Sequence, residues 1–122
     1  AGAIQRLHRR LPYNKAMEMY LLGERMSAQD AAAFGLVNKV VPKEDLMNTA
    51  MAWATQLGGV APIALQSVKE LLRAIEGDTI QEAFQTIRTA DLPIYRQMLQ
   101  SDDANEGVNA FVEKRDADFK GK

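Results

Sequence analysis

The sequence has no cysteine, which removes disulfides, thiolate nucleophiles and cysteine-based metal sites, and favours a reducing compartment with the cytoplasm as the default. It has one histidine, His8, so a Ser-His-Asp triad or a histidine-rich metal site would have to be built there. Arg6, Arg9 and Arg10 surround it and disfavour an imidazolium, so His8 reads as a surface residue on a basic helix, and no metal site is expected. Charge of either sign is not in excess: 15 Lys and Arg face 16 Asp and Glu, which gives no reason to expect a nucleic acid or an anionic membrane as partner. No apolar run approaches the ~20 residues of a membrane span, and the N-terminal stretch lacks the apolar centre of a signal peptide. The aromatics are one Trp, three Tyr and four Phe, not interleaved with a basic run, so base stacking is a weak reading. Gly58-Gly59 lacks a following Lys-Ser/Thr and cannot be a phosphate loop.

What is present is the composition of a folded, water-soluble chain: 122 residues, 47% hydrophobic and 25% charged, enough for one core at most. We expect a single segment over 1–122, mainly α-helical, with one short strand at 36–41. The first residue, Ala1, is not Met, which suggests processing or a piece of a longer protein.

Helix punctuation is clear along the chain. Ile4, Leu7 and Leu11 predict a short helix ended by Pro12, and Tyr13 to Leu22 a second, apolar on more than one side and stopped by Gly23. Ser27 with Asp30 is an N-cap pattern leading to Gly35. Pro42 opens a helix with a Leu46, Ala50, Trp53, Leu57 stripe, and Pro62 opens another with Leu65, Val68, Leu72 and Ile75 on one face, suggesting a helical hairpin. Thr79 and Glu82 form a capping box for a helix that Pro93 kinks or breaks. Ser101, Asp102 and Asp103 offer the last N-cap, with Glu106 completing a box on Asp103, and Lys114 and Arg115 suit the C-terminal end of the dipole. The outline is seven helices and one strand.

The strand, Leu36 to Val41, alternates Val37 and Val41 with Asn38 and Val40 before Pro42. Alone it would leave its backbone groups unmet, so its partner lies outside this chain or in a second copy of it.

Among carboxylates, Glu18 and Glu24 lie on or just beyond a helix, and Asp102, Asp103 and Glu106 read as caps, so none is assigned a catalytic role. The tail differs. Tyr95, Phe111 with Lys114 three residues on, and then Lys120 and Lys122 put aromatic surface beside positive charge on one helical side, a combination suited to a nucleotide's ring and phosphates.

The residues Glu106-Gly107, Ala110-Phe111, Glu113-Lys114-Arg115 and Phe119-Lys120-Gly121 resemble the ending of the enoyl-CoA hydratase/isomerase, or crotonase, family. Gly23, Ser27-Ala28, Asp30-Ala31, Gly35-Leu36-Val37 and Val40-Val41-Pro42 resemble its middle segment, and Gly2 with Gln5-Arg6-Leu7 the stretch after a glycine-rich turn. The resemblance covers the whole chain but only about the C-terminal half of a member. It implies the C-terminal helical portion of the crotonase α/β fold, with the spiral of βα turns, the oxyanion hole and the hydrating glutamates upstream. It implies an acyl-CoA substrate, no cofactor beyond the coenzyme A that the substrate carries, and assembly as a trimer or hexamer. Lys114 corresponds to a lysine near the CoA phosphate, with Phe111 and Tyr95 as aromatic walls, although Tyr95 departs from a more usual phenylalanine. The run Tyr95 to Met98, Ser101 to Ala104 and Glu106-Gly107 is similar to members acting on carnitine-type thioesters. Hydratase and isomerase are not separated by these residues, and a non-enzymatic helical interaction module sharing the tail is the alternative.

Overall fold

The computed structural model describes residues 2–122, so the start at Ala1 lies outside the described residues. Among these residues there are eight α-helices and one 3₁₀ turn: α1 (Ala3–Leu7), α2 (Tyr13–Leu22), α3 (Ala28–Ala33), the 3₁₀ turn (Lys43–Asp45), α4 (Leu46–Gly58), α5 (Pro62–Ala74), α6 (Ile80–Thr89), α7 (Pro93–Leu99) and α8 (Asp102–Glu113). No helix among them is long and apolar enough to cross a membrane. The chain divides into two compact units, residues 1–49 and 50–122, the boundary falling within α4.

In the first unit, α2 ends at Gly23, whose φ of 68° is the left-handed value that glycine takes without a Cβ penalty. Leu11, Ala16 and Ala31 are buried, and the Tyr20 hydroxyl donates to the Ala3 carbonyl at 2.9 Å. Ser27 caps α3 as the sequence predicts: its Oγ accepts from the Asp30 N–H at 3.0 Å and donates to the Asp30 carboxylate at 2.7 Å.

The strand expected at 36–41 does not form, and the described residues contain no strand at all. The first two amides of that segment are already engaged, since Leu36 N–H and Val37 N–H both donate to the Ala31 carbonyl, at 2.8 and 3.2 Å, closing the end of α3. Among the described residues no other segment pairs with the rest of it, and β conformation without a ladder leaves its backbone groups to water.

In the second unit the main packing is α5 against α7, with α6 on α5 and α8 on α7. The hairpin expected of α4 and α5 is not the organising contact, and α4 leaves nearly all of its side chains exposed. The buried face of α5 is also not the predicted one. Val68 and Leu72 are exposed, whereas Ile63 and Ser67 are buried, because α5 is apolar on two sides and the small Ser67 face admits a close neighbour. Pro93 breaks the expected long helix outright and becomes the first residue of α7. The N-terminus of α7 has no cap of its own. Glu70 of α5 supplies one, accepting from Ile94 N–H at 3.3 Å and Tyr95 N–H at 2.8 Å.

Candidate functional site

The groups of interest gather on α8 and the residues that follow it. Ser101 caps α8 through an Ala104 N–H bond at 3.1 Å, which frees Asp103 and Glu106 from the capping box assigned to them. Asp103 is 3% exposed and accepts from Lys120 N–H at 2.7 Å and Gly121 N–H at 2.8 Å, while its own N–H donates to the Lys122 carbonyl at 3.1 Å. Glu106 accepts from Asp118 N–H at 2.9 Å and receives the Arg115 guanidinium as a fork, Nη1 to Oε1 at 2.5 Å and Nη2 to Oε2 at 2.8 Å. The two carboxylates therefore hold residues 115–122 along α8, running back toward its beginning. Nothing in helical spacing announces this, because the partners are nine or more residues apart.

The returning tail carries Phe119 over Gly107, where a Cβ added to the glycine would meet the ring at 3.6 Å. Phe119 is thereby one wall of an apolar groove of about 480 Å³, whose other walls include Ala61 and Ala64 of the α5 region, Met98, and Val108 and Phe111 of α8. A second groove of about 470 Å³ is polar, lined by Asp102, Asn105, Glu106, Asn109, Arg115 and Lys120, and Asp103 borders both.

The expected CoA contacts are placed as follows. Phe111 borders the apolar groove and is 85% exposed, an unusual position for a large ring. Lys114 is the residue just past α8, at φ 54°, and its ammonium has no ion-pair partner among the described residues. Tyr95 is half-buried on α7, its N–H held by Glu70, and does not line the groove. Lys120 and Lys122 do not continue a helical side with Phe111, because the chain reverses after Glu113; Lys120 Nζ instead meets the Asp118 carboxylate at 2.6 Å.

The other candidates behave structurally. His8 is exposed, and its Nδ1 donates to the Ile4 carbonyl at 2.7 Å. Glu18 pairs with Lys15 at 2.5 Å, and this bond raises the lysine's pKa. Glu82 closes the capping box with Thr79, whose backbone and hydroxyl bonds lower its carboxyl pKa. The Arg115 fork and the Asp118 N–H bring Glu106 down from 4.5 to about 2. Both shifts favour the ionised carboxylate. Among the described residues no cluster of His, Asp and Glu is arranged to hold a metal ion.

The family model for enoyl-CoA hydratase/isomerase matches residues 1–122. A carnitinyl-CoA dehydratase of Salmonella paratyphi A is 41% identical over the whole chain, which covers 47% of that protein. Among solved structures, an enoyl-CoA hydratase subunit I from Geobacillus kaustophilus is 36% identical with a TM-score of 0.88, covering 100% of this chain and 46% of that one. An enoyl-CoA hydratase from Mycobacterium marinum is 32% identical with a TM-score of 0.84, covering 99% and 46%. The chain thus spans about half the length of the curated relatives it matches, and its helices superpose on a portion of the crotonase fold.

Proposed function

The chain belongs to the enoyl-CoA hydratase/isomerase family, and from that premise we propose that it is the C-terminal helical part of an enzyme that adds or removes water across the double bond of an acyl-CoA thioester. Its contribution is binding and assembly: Lys114 meets a CoA phosphate, Phe111 flanks the nucleotide, and the exposed apolar helix faces join subunits as a trimer or hexamer. The coenzyme A arrives with the substrate, no separate cofactor is needed, and a chain without cysteine suits the cytoplasm.

The observation that carries this reading is the end of α8, where a ring left 85% exposed stands three residues before a lysine with no ion-pair partner among the described residues. Exposed aromatic surface beside an unpaired cation fits a ligand that is apolar in one part and phosphorylated in another. A hydro-lyase is favoured over an isomerase by the 41% identity to carnitinyl-CoA dehydratases, which also makes a carnitine-type acyl group the first substrate to try.

The acid/base carboxylates then lie in the rest of the enzyme, together with the backbone donors that stabilise charge on the thioester oxygen. The test is hydration of crotonyl-CoA and dehydration of carnitinyl-CoA, followed by the absorbance of the conjugated thioester. The full-length enzyme is expected to turn over, and the 122-residue chain alone to be silent. Turnover by the chain alone would place the carboxylates within it and overturn the assignment.

A further inference from the structure

Lys114 is the one residue other than glycine at positive φ among the described residues. A left-handed backbone brings an L-residue's Cβ against its own carbonyl, and the position just after a helix that requires it is most often filled by glycine. A lysine there needs surroundings that hold it. The neighbouring residue provides them: Arg115 N–H donates to the Ala110 carbonyl at 3.1 Å, its guanidinium forks onto Glu106, and its Nε meets Glu113 at 2.6 Å. Glu106 is itself fixed from the far side by Asp118 N–H at 2.9 Å.

Lys114 N–H and Arg115 N–H both donate back into the last turn of α8, to the Phe111 and Ala110 carbonyls at 3.4 and 3.1 Å, and the Arg115 fork onto Glu106 adds a side-chain tie to that backbone closure. Both oxygens of Glu106 and one of Glu113, two carboxylates on the same stretch of α8, are engaged by Arg115. The ammonium has no ion-pair partner among the described residues, in a region rich in acid groups.

We propose that Glu106 is a positioning residue for Lys114: by holding Arg115 it keeps Lys114 left-handed and unpaired, available to a phosphate of the thioester's CoA. This rests on the reading of Lys114 as a phosphate contact. It adds a residue that never touches substrate and acts through two others.

The experiment is a double-mutant cycle in the full-length enzyme with Lys114→Ala, Glu106→Gln and both together, reading Kd for CoA and for pantetheine, which lacks the nucleotide phosphates. Lys114→Ala is expected to weaken CoA about tenfold at low salt and less at moderate salt, leaving pantetheine unchanged. Glu106→Gln should weaken CoA in the same direction, also sparing pantetheine, and the double variant should bind no more weakly than Lys114→Ala alone. Arg115→Lys, which keeps the charge and loses the fork, should reproduce Glu106→Gln. Losses that multiply in the double variant, or a Glu106→Gln effect that falls equally on CoA and pantetheine, would show Glu106 to be structural only and overturn the inference. Unchanged CoA binding in Lys114→Ala would instead remove the phosphate contact itself, so the two failures are distinguishable.

Discussion

Replacing Asp103 by Asn keeps the shape of the side chain and changes what it can accept. The carboxylate takes Lys120 N–H on Oδ1 at 2.7 Å and Gly121 N–H on Oδ2 at 2.8 Å, so both oxygens are in use. An amide offers one oxygen, and its NH₂ group then faces the remaining N–H, donor against donor. A hydrogen bond to a charged group contributes about 1.5–3 kcal/mol, and losing one should raise the population of the released tail roughly 10- to 150-fold. The change should be local, because the tail makes no helix and α5 and α7 pack without it. Amide hydrogen exchange is the assay: Lys120 and Gly121 should exchange faster by that factor, with Asp118 following, while amides in the middle of α5 stay as they were. Unchanged exchange at 120 and 121 would mean that Asp103 does not hold the tail. Equal acceleration throughout α5 would mean that it supports the whole unit.

Three other outcomes are expected. Ser67 Oγ is 1% exposed with no hydrogen-bond partner among the described residues, so Ser67→Ala should leave stability unchanged or raise it by up to about 1 kcal/mol in denaturant titration. A loss of more than that would reveal a hydroxyl partner. Gly107 sits inside α8, and a Cβ there makes ordinary contact with Phe119 at 3.6 Å, so Gly107→Ala should stabilise by about 0.5–1 kcal/mol; a fall in Tm would mean that the ring cannot give way. The Glu106 carboxyl has a folded pKa of about 2 against an ordinary 4.5. Its stabilising contribution is therefore complete above pH 4.5 and is lost as pH falls toward 2. Acid titration followed by NMR should show the resonances around Arg115 and Asp118 moving with that low midpoint in the wild type, and not in Glu106→Gln.

The starts and stops of the helices were legible because caps act over three or four residues. Ser27 and Thr79 bond the amides expected of them, Gly23 takes its left-handed value, Pro62 opens a helix, and Pro93 marks the expected break. What was not legible depends on distant neighbours. Alternation at 36–41 suggested a strand, but alternation specifies which faces a strand would have and cannot supply a ladder. The burial of Ile63 and Ser67 in place of Val68 and Leu72 was decided by α7, which the periodicity of α5 does not contain. At the candidate site, the nearness of Phe111 and Lys114 along α8 could be read from spacing. The roles of Asp103 and Glu106 could not, since a cap pattern at a helix start also fits carboxylates that bind a returning chain 12 to 18 residues later.

The exposed face of α4 carries the single tryptophan, Trp53, left 45% open to water. The protein's indole emission is therefore the signature of one helix. A shift to shorter wavelength would report another surface coming to rest on α4, whether a second subunit or the remainder of a longer polypeptide, and release of the tail should leave the colour unchanged. One chromophore thus separates assembly from latch opening in the same cuvette, with no label attached.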